Sequence, residues 1–138
     1  QLVKHQVGLV WNEVSRRYVD TDPEFYVPFL WREKHENKKQ GSTDTEVEYD
    51  IMPLIKKAKE MYQDMLDSNI APELARMILP QCMMTEWIWS GTLYAFARVC
   101  NLRNKSDAQQ ETTDITRDIA HHMKDQFPVS SKYLLEKE

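Results

Sequence analysis

Gln81-Cys82-Met83-Met84-Thr85-Glu86-Trp87-Ile88-Trp89-Ser90-Gly91-Thr92-Leu93-Tyr94-Ala95-Phe96-Ala97-Arg98-Val99-Cys100-Asn101-Leu102 is apolar nearly all the way round when wound as a helix. No single face accounts for Met83, Met84, Trp87, Ile88, Trp89, Leu93, Tyr94, Phe96, Ala97 and Val99. The stretch therefore predicts one long helix, either central to the fold or at a subunit interface. Cys82 and Cys100 would lie on it 18 positions apart, roughly 27 Å at 1.5 Å per residue. A disulfide needs Cα atoms within about 7 Å. Both cysteines read as reduced, buried thiols, and a cytoplasmic setting is expected.

Upstream of this stretch, Pro72 opens a short helix that Pro80 limits. Before that, Asp50 is placed to cap a helix with Pro53 in its first turn. Ile51, Leu54, Ile55, Ala58, Met61, Tyr62, Met65 and Leu66 follow the three-to-four spacing of one buried face. Arg32 to Glu48 is charged and contains Gly41-Ser42, which reads as a surface loop. Pro23 and Pro28 punctuate an aromatic segment of Phe25, Tyr26, Phe29 and Trp31. Lys4 to Tyr18 reads as extended, with Val7-Gly8-Leu9-Val10-Trp11 resembling a buried strand. Downstream, Ser106 with Gln109 fits a capping box for a last helix. Its inner face would be Ala108, Thr112, Ile115, Ile119 and Met123, and Phe127-Pro128 would end it. The expected fold is α+β: a strand or hairpin segment near the N-terminus, packed on a mainly helical remainder, in one domain over residues 1–138.

A formal net charge of −4 argues against a partner that is a nucleic-acid polymer. It leaves room for a local basic pocket that takes one small anion. No run approaches the ~20 apolar residues that cross a bilayer, so no membrane partner is expected. With three glycines in total, the chain has no Gly-rich phosphate loop. His121 and His122 are neighbours that point about 100° apart on a helix, and the cysteines lack C-x-x-C spacing, so no metal is expected.

Anion chemistry is carried by other residues. If the chain stays extended past Asn12, Glu13, Ser15 and Arg17 share one strand face. A planar guanidinium beside a hydroxyl suits a phosphate, and a solvated face with a cross-strand ion pair is the plain alternative. Arg76 on the short helix is a second candidate, against a role as a surface charge. Arg103 at the end of the long helix is a third, against a simple match to the helix dipole.

These pieces fall in a recognisable order. Asn12-Glu13-Val14-Ser15-Arg16-Arg17-Tyr18 resembles the N-E-x-S-x-R-Y end of the flavin-dependent thymidylate synthase signature. Lys4-His5-Gln6 is similar to a divergent form of the R-H-R before it. Ala71-Pro72-Glu73-Leu74-Ala75-Arg76-Met77-Ile78-Leu79-Pro80 resembles S-P-E-x-A-R-x-x-L-P. Asn101-Leu102-Arg103 followed by Ala108-Gln109-x-Glu111 resembles L-R…H-A-Q-x-E. Thr85-Glu86-Trp87-Ile88-Trp89-Ser90-Gly91 matches the family's central helix in kind. The likeness runs from Gln1 to about Pro128.

The resemblance implies reductive methylation of dUMP to dTMP. Methylene-tetrahydrofolate would give the carbon and NADPH-reduced FAD the hydride, in a homotetramer with active sites at subunit interfaces. It places Ser15, Arg17 and Arg76 on the dUMP phosphate and Arg103 on the uracil ring. Gln1, Lys4 and Glu13 would complete the nucleotide pocket. Lys4, His5, Gln6, Asn12, Glu13, Arg98, Leu102 and Asp107 occupy the positions assigned to the flavin cofactor. No cysteine attacks the pyrimidine in this family. The departures are specific. Lys4 and Gln6 stand where the family has arginines, Arg98 where an Asn is common, Asp107 where His is usual, and Ala71 where S-P-E has its Ser. The segment before Asn12 is one residue longer, with Leu9 and Val10 in the space of a Ser; Gly8 could permit a bulge that absorbs it. The sequence opens at Gln1, so an N-terminal part of the family fold is expected to be missing. A nucleotide-binding homologue that has lost flavin chemistry is the alternative function.

Overall fold

A computed structural model describes residues 1–18, 21–37 and 41–136. Its elements are β1 (Leu9–Glu13), β2 (Trp31–Lys34), β3 (Ser42–Val47), α1 (Met52–Asp67), α2 (Pro72–Ala75), β4 (Trp87–Gly91), α3 (Leu93–Arg103), α4 (Gln110–Gln126) and α5 (Pro128–Leu134). Short 3-10 turns occupy Leu2–Lys4 and Arg76–Ile78. The α+β class expected from sequence holds. The chain forms two compact units, each of discontinuous segments: Gln1–Asn12, Arg32–Thr45 and Ile88–Glu138 in the first, Glu13–Trp31 and Glu46–Trp87 in the second.

In the first unit, β1 pairs with β4. The two run antiparallel, since Thr92 N–H donates to the Gly8 carbonyl at one end while Trp11 meets Trp89 further along, ring centroids 5.7 Å apart. Trp89 in turn meets Phe96 of α3 edge-on at 5.2 Å. These rings fill the inner face, while Val10 and Ile88 face outward, 60% and 70% exposed. Two glycines allow the geometry. Gly8 adopts φ +76, a left-handed turn that delivers the chain into β1. Gly91 lies so close to the opposite strand that an added Cβ would sit 2.5 Å from the Gly8 carbonyl oxygen. Thr92 then caps α3, its hydroxyl accepting from Ala95 N–H at 3.2 Å.

This overturns the single long helix over 81–102. Cys82 to Glu86 lie outside any helix, residues 87–91 are a strand, and the helix begins only at Leu93. The stretch has no apolar face of its own because two periods follow one another, period two in Trp87-Ile88-Trp89 and helical spacing after Thr92. Only Cys100 is helical, so helical spacing does not separate the cysteines; both are free thiols, Cys100 buried as expected and Cys82 only half-buried.

Behind the strands, α3, α4 and α5 close on Ala97, Cys100, Ala120 and Met123, with Leu93, Phe96, Ile119, Leu134 and Leu135 around them. Small side chains on facing helices permit close approach. Buried threonines seal the contact. The Thr116 hydroxyl lies 2.6 Å from Asn104 Oδ1, and the Thr113 hydroxyl donates to the Arg103 carbonyl at 3.0 Å. Asn101 holds the following tail by accepting from Glu136 N–H and donating to the Leu134 carbonyl. The expected start of α4 is corrected: Gln109 is the cap residue, with no side-chain capping bond, so Ser106 begins no capping box. Of its expected inner face, Ala108, Thr112 and Met123 are buried and Ile119 packs against the core, while Ile115 is exposed; Thr113, Thr116 and Ala120 complete the buried face. Phe127-Pro128 does end the helix, and α5 follows at once.

The loop expected from Arg32 to Glu48 contains the strand pair β2–β3; its residues 38–40 lie outside the described residues. Both strands are polar, so no apolar alternation betrays them.

The second unit is organised by α1, which buries Ile55, Ala58 and Tyr62 and packs on α2 and the 3-10 turn after it. The cap residue is Ile51, with no side-chain capping bond, rather than the expected Asp50. Asp50 Oδ1 accepts instead from Met52 N–H, the first residue of the helix, at 2.8 Å. The helix closes on Asn69 at φ 61. Asn69 N–H reaches the Leu66 carbonyl and Ile70 N–H the Met65 carbonyl, a Schellman closure with Asn in the place glycine usually takes. Pro72 starts α2, as expected.

Candidate active site

Arg103 ends α3 in the first unit, where a cation matches the helix dipole. Its Nε donates to Nε2 of His5 at 2.9 Å, and its carbonyl is fixed by Thr113. His5 follows the 3-10 turn Leu2–Lys4 and is half-buried. Burial lowers its imidazole pKa from the ordinary value, and the charges of Arg103 and Arg98 lower it further. The neutral ring is the form that can accept from a guanidinium.

The other first-unit candidates surround this pair in sequence. Gln1 is half-buried, and its side-chain oxygen lies 3.5 Å from Gln109 N, at the edge of hydrogen-bonding distance. Lys4, Gln6, Asn12, Arg98, Leu102 and Asp107 are all exposed. Arg98 sits one turn and a little more before Arg103 on α3, and Asp107 lies in the connection to α4. Cations, an amide and an imidazole that can donate from Nδ1 form a donor set that suits the polar edge and phosphates of a flavin nucleotide. Burial first, and then the charges of Arg103 and Arg98, keep the His5 ring neutral, which leaves Nδ1–H as a donor for such a group.

In the second unit the strand ends at Glu13, so the shared strand face expected for Glu13, Ser15 and Arg17 does not form. A turn does the work instead. Tyr18 N–H bonds the Ser15 carbonyl, and the Ser15 hydroxyl accepts from Arg17 Nε at 2.8 Å. The Arg17 guanidinium also lies over the Tyr18 ring, 5.2 Å from its centroid. Glu13 is drawn elsewhere, accepting from the Thr85 hydroxyl at 2.8 Å. Arg16 is occupied structurally through the carbonyls of Thr21 and Asp22. Arg76 follows α2, exposed, with Nε 3.4 Å from the Glu73 carbonyl.

One contact escaped the sequence. Arg32 Nη2 pairs with Glu111 Oε1 at 2.6 Å, and its Nε bonds the Ser42 hydroxyl at 2.7 Å. A single sequence carries no signal for a pair so distant along the chain. Cys100 is fully buried, donates to the Thr116 carbonyl, and has its thiol pKa pushed up by burial to about 11. It is a poor nucleophile at neutral pH.

The profile of the thymidylate synthase complementing protein family matches residues 1–129. The chain belongs to that family. Among its relatives, the flavin-dependent thymidylate synthase of Thermus thermophilus is 31% identical over 134 residues, 94% of this chain and 49% of its own length. That of Kosmotoga olearia is 32% identical over 142 residues, 98% of this chain and 61% of its own length. The chain thus spans about half to three-fifths of the curated relatives it matches. The fold is similar to that of the UMP/dUMP methylase PolB from Streptomyces cacaoi bound with 5-Br dUMP. The TM-score is 0.80 at 25% identity, over 95% of this chain and 62% of that one. Among the described residues, no helix is long and apolar enough to cross a membrane.

Proposed function

We propose that this chain is the nucleotide- and flavin-binding core of a flavin-dependent thymidylate synthase that methylates dUMP to dTMP. Family membership over residues 1–129 carries the reading. The named activity of the relatives and the 5-Br dUMP bound to the similar methylase support it. The two units interleave along the chain, so neither is a continuous piece, and residues 1–138 are read as one functional domain. The active assembly is a homotetramer in which copies complete each other's sites, and the setting is cytoplasmic.

The residues divide the work by chemistry. Ser15, Arg17 and Arg76 hold the substrate phosphate, a dianion that needs several fixed donors. Arg17 enters this role already oriented by Ser15 and Tyr18. Gln1, Lys4 and Glu13 complete the nucleotide pocket. Arg103 meets the pyrimidine, where its fixed charge stabilises electron density pushed onto a carbonyl oxygen. Lys4, His5, Gln6, Asn12, Glu13, Arg98, Leu102 and Asp107 hold FAD. Bound flavin, reduced by NADPH, would supply the hydride that turns the carbon given by methylene-tetrahydrofolate into a methyl group. No thiol is needed for the pyrimidine, in keeping with a Cys100 that is buried and protonated.

The test is the visible spectrum of the purified protein with a dUMP titration. An oxidised-flavin spectrum together with dUMP binding supports the proposal. Colourless protein that cannot be loaded with FAD but binds dUMP would assign it to nucleotide binding without flavin chemistry.

A further inference from the structure

The bond between His5 and Arg103 constrains both partners. A guanidinium N–H can only donate, so Nε2 of His5 must offer a lone pair. The ring is then neutral, with its proton on Nδ1. An imidazolium carries hydrogens on both nitrogens and cannot accept, and it would stand 2.9 Å from a second cation. The side chains whose charges act on the ring are Arg103 and Arg98, both from α3 and both positive. Lys4 adjoins it in sequence. The Thr113 bond anchors the Arg103 backbone but not its side chain. His5 is thus the partner that orients the guanidinium itself, through Nε, while the Nη edge is left out of this bond.

We propose that His5 is a positioning residue whose neutral imidazole aims the Arg103 guanidinium at the pyrimidine, and that protonation of His5 releases Arg103 and weakens substrate binding. This rests on the reading above in which Arg103 meets the uracil ring. It adds to the flavin-facing position of His5 a role exerted through another side chain.

Two measurements on the intact protein test it. The first is the imidazole nitrogen spectrum of 15N-histidine-labelled protein near neutral pH, assigned with His5→Gln. The expected result is an unprotonated Nε2 and a protonated Nδ1; a proton on Nε2 overturns the proposal. The second is calorimetric titration of dUMP from pH about 8 to about 5, across the ordinary imidazole value of 6.5. The nucleotide phosphate itself takes up a proton near pH 6, so every protein weakens somewhat. His5→Gln keeps an uncharged acceptor at all pH and serves as the reference. Wild type is expected to lose about tenfold more affinity over this range than His5→Gln. In an Arg103→Ala background the two should run in parallel. Equal pH profiles with Arg103 present overturn the proposal. A wild type that binds no dUMP at any pH overturns the substrate reading and this proposal with it, and the nitrogen spectrum still separates that failure from a missing His5–Arg103 bond.

Discussion

A Cβ placed on Gly91 would lie 2.5 Å from the carbonyl oxygen of Gly8, and as close to Cδ2 of Leu9. The obstacle is partly backbone, so a flexible side chain cannot simply move aside. The β1–β4 pair and the Trp11–Trp89–Phe96 stack behind it depend on this approach. Gly91→Ala is expected to destabilise the protein by about 1–3 kcal/mol, the usual cost of forcing extra atoms into a packed site. A denaturant melt measures it. An unchanged midpoint would mean that the strands do not close as described.

The same strand shows why the sequence was legible only in part. Helix α1 and the Pro72 start of α2 were readable, because proline at a helix start and a three-to-four stripe are local signals. Ile55, Ala58 and Tyr62 of that stripe are buried, while Leu54 and Met61 are exposed and the cap is Ile51, not Asp50. Residues 81–102 misled because aromatic and apolar residues satisfy either period. The informative marks were small: Ser90-Gly91 as a break, then Thr92 as a cap. Strands β2 and β3 were invisible because neither face is apolar. At the site, Arg17, Arg76 and Arg103 came from motif likeness. That Ser15 orients Arg17 in a turn, and that His5 holds Arg103 from the far end of the sequence, needed the fold.

Thiol chemistry should separate the two cysteines. With its pKa near 11 and no exposed surface, Cys100 has about one thiolate in a thousand molecules at pH 8. Alkylation of native protein is expected to mark Cys82, which is half-buried, and to reach Cys100 only after unfolding. Mass spectrometry of the labelled peptides reads the outcome. A Cys82→Ser, Cys100→Ser protein should still turn over dUMP; complete loss of turnover in a folded double variant would argue for a thiol nucleophile.

Phosphate binding should be uneven across the proposed donors. Arg17→Ala and Arg76→Ala each remove a charge-assisted partner and should weaken dUMP binding by roughly 1.5–3 kcal/mol. Ser15→Ala removes a donor and also frees the guanidinium it orients, so adding Ser15→Ala to Arg17→Ala should cost less than either change predicts alone. Strictly additive losses would show that Ser15 and Arg17 act independently.

Stability should carry the signature of His5 as well. The folded protein holds the imidazole neutral below the value at which the unfolded chain titrates. The unfolded state therefore binds more protons, and stability falls as pH falls. The contribution is complete above pH 6.5, the ordinary value, and is lost as pH drops through the lowered folded one. Thermal midpoints of wild type should fall more steeply than those of His5→Gln below that pH. Parallel curves would mean that His5 titrates as it does in the unfolded chain.

The most direct test is conversion of dUMP to dTMP by the purified protein supplied with FAD, NADPH and methylene-tetrahydrofolate. The expected result is dTMP formation that requires all three, with turnover at saturating dUMP sharply reduced in Arg103→Ala. Protein that holds flavin and substrate together yet forms no dTMP, or an Arg103→Ala variant with normal turnover, would contradict the account.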